Sequence, residues 1–149
     1  MPEATPEFKR RLREAFAEMR VGQTFTFRRT FTDGDVALFC GVTGDYNPYH
    51  QDESFAKESW YGRLTIPGLL TGSMLTHIGG LLGFLATEMS FKYLTPVFVG
   101  DTITCTVAII GKDEEERRIS ARADFVNQDG VEVLRAFFNG FPGRVRLVR

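Results

Sequence analysis

Histidine is scarce in this chain, with two among 149 residues, and cysteine is equally rare. Cys40 and Cys105 lie far apart, and each sits in an apolar run, "VALFCGV" and "TITCTVAII". That pattern argues against a structural zinc site, which needs closely spaced soft ligands, and reads as two buried reduced thiols. An excess of one charge is also missing: 18 basic residues face 19 acidic ones, for a net charge of −1 and a pI near 6.1. Non-specific nucleic-acid binding needs a basic footprint, so no nucleic-acid partner is expected. No stretch joins a basic start to an apolar core and a small-residue cleavage site, so no secretory signal is expected. The longest weakly charged segment, Leu64 to Thr87, carries His77 and several Gly and Thr residues. It reads as a buried helix rather than a membrane span. Repeats, low-complexity tracts and linkers are absent, and a cytoplasmic setting is the default.

What is present suits a globular protein, with 43% hydrophobic and 25% charged residues. The length fits one domain, 1–149, able to enclose one core, with 1–20 as a helical extension. In "EFKRRLREAFAEM", residues 7–19, Phe8, Leu12, Phe16 and Met19 recur at helical spacing, and Lys9, Arg10, Arg11 and Arg13 form a solvated face. Phe25 and Phe27 alternate with polar neighbours and predict a strand over Thr24–Phe31. Thr32 with Asp35 forms a variant capping box for a helix bearing Val36, Leu38, Phe39 and Val42, which Gly41 and Gly44 end. A short helix is expected from Asp52, then a turn at Tyr61-Gly62-Arg63.

Pro67-Gly68 opens "LLTGSMLTHIGGLLGFL", apolar nearly all round, as befits an interior helix. Its glycines lower helix propensity, which close approach of another backbone would offset. Four strand-like runs follow: "EMSFKYLTPVFVGD", "TITCTVAIIGKDEEE", "RRISARADFVNQDG" and "VEVLRAFFNGF". Turns at 112–116 and 127–130 join them into a meander, with Gly130 suited to positive φ. The expectation is an α+β protein: one hotdog domain, a curved antiparallel β-sheet around a long central hydrophobic helix, plus the extra N-terminal helix. A meander ending in a long strand also suggests pairing into a homodimer.

One of the two histidines sits in "GDYNPYHQD", residues 44–52. Pro48 fixes its own φ and pushes Asn47 toward extended geometry, while Asn47 can bond nearby backbone. A stiff loop is what two groups need if they are to hold one water. An imidazole titrates near neutral pH, and a carboxylate beside it can orient the water or carry the second proton. Asp45 and His50 therefore suit addition of water to a polarised double bond, or its reversal. Acyl transfer fits less well, because no Ser or Cys nucleophile stands in the motif. Gly68, at the start of the long helix, reads equally as an amide donor to a ligand oxygen or as a packing glycine.

These residues carry a resemblance. "GDYNPYHQDESFA" is similar to the hydratase-2 motif of the MaoC-like, R-specific enoyl-CoA hydratases, Asp-x-Asn-Pro-x-His-x-Asp with an Ala a few residues on. "YGRLTIPGLLTGSMLT" resembles the family's arginine turn and Gly-led helix, and "SFKYLTPVFVGDTITCTV" its second strand and Pro-Val-x-x-Gly-Asp step. The likeness spans roughly residues 21–141. It implies a hotdog dimer that hydrates trans-2-enoyl-CoA to (R)-3-hydroxyacyl-CoA, or the reverse, on a CoA or acyl carrier protein thioester, with no cofactor or metal. Asp45 and His50 would be the catalytic pair, and the Gly68 amide would bind the thioester oxygen. Thr76 falls where some members have a serine near the acyl pocket, and Asn47 and Tyr49 join the substrate-binding set.

The chain departs from the family pattern at Pro67, where His-Gly is usual, at Leu64, where a proline often follows the arginine, and at Tyr49, where a smaller aliphatic is usual. Tyr49 is expected to shorten or re-aim the acyl tunnel. Arg63 reads as a clamp on its loop through a carboxylate, with a CoA phosphate as the second option. His77 reads as a hydrogen-bonded core or interface residue, or else as a pocket residue, and Arg117 and Arg118 as solvated. Two other functions share the fold: a thioesterase, and a non-catalytic acyl-thioester binding subunit.

Overall fold

The computed structural model describes residues 2–142. Helix α1 (Pro6–Glu18) starts at Thr5, whose side chain accepts from the Phe8 N–H, and Pro6 occupies the first turn, where a missing N–H is harmless. It lays Phe16 and the following Met19 against Ile109 and Ile119 of the sheet. Lys112 fastens the same junction, donating to the Met19 carbonyl and lying 4.3 Å from the Phe16 ring centre. Strand β1 (Thr24–Thr30) follows. Thr32 and Asp35 then form the reciprocal capping box of α2 (Asp33–Thr43). Gly44, at φ 74°, ends that helix in the left-handed region, so Gly41 lies within it.

Two short helices, α3 (Pro48–Gln51) and α4 (Glu53–Glu58), carry the chain across to α5 (Gly68–Gly72) and α6 (Met74–Leu82). The expected single central helix is thus interrupted. Ser73, between the two, turns its hydroxyl onto the Leu70 carbonyl and takes the place of a helical bond. The helix also stops sooner than its apolar run, because Gly83 caps α6 with φ 63° and Leu85 already begins β2 (Leu85–Tyr93). Strands β3 (Thr102–Asp113), β4 (Arg118–Val126) and β5 (Glu132–Phe141) complete one antiparallel sheet in the order β1-β3-β4-β5-β2. Residues 94–101, expected to prolong β2, instead form a separate irregular segment.

Ile103, Cys105, Val107 and Ile109 alternate inward along β3 and, with Ala121, Ala123 and Phe125 of β4, take Met74, Leu75 and Ile78 of α6 onto one face. That is the α+β layering read from the sequence. The enclosure is one-sided, however: Leu69, His77 and Leu81 on the other side of α5 and α6 are exposed. Of the helix glycines, Gly79 meets only the nearby Phe84 carbonyl at 3.7 Å and Gly80 nothing within 4 Å, while Gly68 and Gly72 meet aromatic rings. A Cβ on Gly68 would come within 2.5 Å of the Tyr93 ring, and one on Gly72 within 2.9 Å of the Phe91 ring. Aromatic side chains of β2 fill the space the glycines leave.

Candidate active site

Asn47 begins the construction. Its side-chain oxygen accepts from the Tyr49 N–H at 3.2 Å, and Pro48 stands at the first position of α3, so the loop closes into a helical turn as soon as it leaves Asp45. The residue types predict a stiff turn here; its helical form was not expected. It ends at Asp52, which caps α4 in its turn by accepting from Phe55 N–H. His50 is thereby carried inward, and its side chain is only 13% exposed.

A second segment then fixes the imidazole. Residues 64–66 run antiparallel to 97–99: Ile66 donates to the Val97 carbonyl at 2.7 Å, and Thr65 bridges to Phe98. Thr65 also donates its N–H to the Tyr49 carbonyl at 2.9 Å. Held from both sides, Thr65 presents its carbonyl to His50 Nδ1 at 2.7 Å. A carbonyl only accepts, so Nδ1 carries the proton and Nε2 of the neutral ring has the lone pair. Nε2 lies 3.9 Å from Asp45 Oδ2, too far for a direct hydrogen bond. Both atoms are acceptors when the imidazole is neutral, so a group that donates to each suits the space between them. Asp45 remains 44% exposed.

Asn47, Tyr49, His50, Gly68 and Thr71 line one cavity of about 470 Å³, together with Tyr61, Tyr93 and the 94–97 segment. Tyr49 is wedged edge-on between the rings of Phe55 and Tyr61, so its bulk supports the cavity wall as well as facing it. Gly68 is the first residue of α5, where an N–H has no partner within the helix. The Tyr93 ring packed on it gives the missing side chain a packing reason too. Burial pushes the Tyr93 hydroxyl above its usual range, so the phenol stays protonated.

The remaining candidates lie elsewhere. Arg63 stacks over the Phe98 ring at 3.9 Å and lines a separate hollow with Asp33 and Lys57. It braces its loop, through an aromatic face rather than the anticipated carboxylate. Thr76 donates to the Ser73 carbonyl and belongs to the wall of a different, apolar cavity of about 230 Å³ between α6 and the sheet, lined by Leu75, Ile78, Met89 and Phe138. His77 is exposed and stacked on Phe27 at 3.8 Å, neither in the core nor in the His50 cavity. Arg118 is engaged with Thr87 and Asn139 rather than simply solvated. Sequence reasoning missed Thr65, Thr71 and Tyr93. Thr65 acts through its carbonyl, which leaves no mark in a sequence.

Among the described residues, no group of three or more His, Cys, Asp or Glu side chains is placed to hold a metal ion, and no helix is long and apolar enough to cross a membrane. The MaoC like domain model matches residues 16–129. An (R)-specific enoyl-CoA hydratase of Aeromonas caviae is 33% identical over 107 residues, covering 66% of this chain and 76% of the relative. Another (R)-specific enoyl-CoA hydratase, from Rhodospirillum rubrum, is 28% identical over 111 residues, covering 72% and 77%. The solved structure of the (R)-hydratase from A. caviae involved in PHA biosynthesis superposes with a TM-score of 0.80 at 26% identity, over 84% of this chain and 98% of that one. These relatives bear hydro-lyase names, their fold is the hotdog, and the chain belongs to the MaoC like domain family.

Proposed function

We propose that this protein adds water across the 2,3 double bond of a trans-2-enoyl thioester to give the (R)-3-hydroxyacyl thioester, or runs the reverse dehydration. The observation that carries this reading is the pair of acceptors, His50 Nε2 and Asp45 Oδ2, 3.9 Å apart, of which His50 lines a cavity shared with Gly68 while Asp45 stands outside that lining. A water there gives one proton to the pair and its oxygen to C3. The π electrons move to the thioester oxygen, and C2 then takes a proton from the pair, so that one water is added in all. The transient enolate oxygen needs donors, and the Gly68 N–H is one candidate. The relatives' names supply the R stereochemistry. No cofactor or metal enters the reaction.

The cavity of about 470 Å³ suits the thioester and the carrier arm of coenzyme A or acyl carrier protein. The apolar cavity walled by Thr76 suits the far end of an acyl chain. A second copy is assigned to β2: this outermost strand is exposed along nearly all its length and presents Leu85 and Met89 to solvent. The two unbridged cysteines accord with a cytoplasmic setting. A hydration assay over a chain-length series of trans-2-enoyl-CoA, with chiral analysis of the product, tests the reading. Loss of the conjugated-thioester absorbance with formation of the R alcohol supports it; release of free thiol moves it to hydrolysis. Tyr49→Leu should lengthen the accepted chain, and an unchanged profile removes Tyr49 as a determinant.

A further inference from the structure

Three hydroxyl side chains stand along α5 and the start of α6, and they are used differently. Ser73 donates to the Leu70 carbonyl at 2.6 Å and Thr76 to the Ser73 carbonyl at 2.6 Å. Such bonds to the preceding turn are the ordinary resort of Ser and Thr in helices. Thr71 makes none. It is 2% exposed, and its Oγ1 is, among the described residues, the one buried side-chain oxygen or nitrogen without a hydrogen-bond partner. Leaving a buried hydroxyl unpaired is costly, and an apolar residue of the same shape would avoid the penalty.

Its position shows what would pair with it. Thr71 lines the cavity that also holds His50 and Gly68. It lies three residues beyond Gly68, so the two share a helix face, and helical side chains lean toward the N-terminus. That lean carries a side chain at this position toward the level of the Gly68 amide. At the reacting end of an enoyl thioester the strong hydrogen-bonding atom is the carbonyl oxygen, which only accepts.

We infer that Thr71 is a further catalytic residue, donating its hydroxyl hydrogen to the thioester oxygen as negative charge develops there. This inference rests on the hydratase reading above. Thr71 stays unpaired until substrate arrives, because satisfying it beforehand would mean breaking a bond at the moment of reaction.

The test uses the full chain with three proteins: wild type, Thr71→Val, which keeps the shape and loses the hydroxyl, and Thr71→Ser, which keeps the hydroxyl. Each is assayed for hydration of trans-2-enoyl-CoA across chain lengths and for thermal melting. Thr71→Val should lower kcat about 100-fold with KM nearly unchanged. Its melting temperature should hold or rise, because a buried unpaired polar atom is removed; a merely structural role would lower it. Thr71→Ser should stay within about threefold of wild type, since the donor remains. Wild-type turnover matched by Thr71→Val overturns the inference and leaves the hydratase reading standing, as does an equal fall in both variants, which would assign the effect to the fit of the side chain and not to its hydroxyl. A wild-type protein inert on every chain length overturns both together.

Discussion

Two aspartates stand in turns, Asp101 just before β3 and Asp45 between α2 and α3, and their carboxylates are used in opposite ways. Asp101, 6% exposed, accepts from the Phe98 N–H through Oδ2 and from the Gln128 side chain through Oδ1, each at 2.9 Å. Gly100 before it, at φ 95°, takes a conformation that other residues adopt poorly, and the turn delivers the chain into β3. Every strong interaction open to Asp101 is made within the protein. Asp45 accepts one long bond, from Asn47 N–H at 3.3 Å, and its other oxygen faces His50 without touching it. One turn holds the fold in place. The other keeps hydrogen-bonding capacity in reserve, which weakens it as a structural element and equips it for chemistry.

If that contrast is right, variants at the two turns should give opposite signatures in rate and stability. The largest effect is expected for Asp45→Asn and His50→Ala: turnover down by about 10²–10⁴-fold, with unfolding free energy within about 0.5 kcal/mol of wild type. Paired assays and denaturant titrations check both, and near-normal rates would remove the catalytic assignment. Next comes Asp101→Ala, which strips two buried charge-assisted bonds and should cost about 2–3 kcal/mol, while turnover per folded molecule stays within about threefold. A fall in rate without a fall in stability would place Asp101 with Asp45 and dissolve the distinction.

A smaller effect is expected at Asp35. The Thr32 N–H, then the Thr32 hydroxyl and Arg29, hold its carboxyl below the usual carboxylate range. A folded-state pKa below the unfolded one means the stabilisation is complete above the unfolded value and is lost as pH falls toward the folded one. Asp35→Ala should therefore cost about 1 kcal/mol at neutral pH, and the gap to wild type should close on acidification below the ordinary carboxylate range. A gap independent of pH would exclude the charge as its source. The smallest effect is an absence of reaction. Burial, and secondly Asp124, push the Cys105 thiol up to about 12, so at pH 8 it stays protonated and should resist alkylation until the protein is unfolded.

The candidate site was only partly legible because its parts act over different ranges. Asn47, Pro48 and His50 belong to one short stretch whose backbone preferences are local, so their shared turn could be argued from residue types alone. Arg63 and Thr76 lie outside the His50 cavity, Arg63 against Phe98 in its own loop and Thr76 on the wall of the apolar cavity. Arg63 follows the pairing of 64–66 with 97–99, and Thr76 lies beyond the break at Ser73. The apolar run after Pro67 correctly signalled a central helix. Hydrophobicity alone could not say where the run would break, nor that Leu69 and Leu81 would be left for solvent or a second copy.

By itself the sequence determined the type of most elements, the strand alternation of the meander, the capping box at Thr32 and the stiff turn that bears Asp45 and His50. Each depends on interactions within a few residues, or on a periodicity that any window of chain displays. Only the tertiary structure decided the tautomer of His50, the separation of its Nε2 from Asp45, and the isolation of the Thr71 hydroxyl. Those features arise where segments distant in the chain meet. A carbonyl in one loop meets a ring in another, and a helix face meets a cavity wall, so no local preference encodes them.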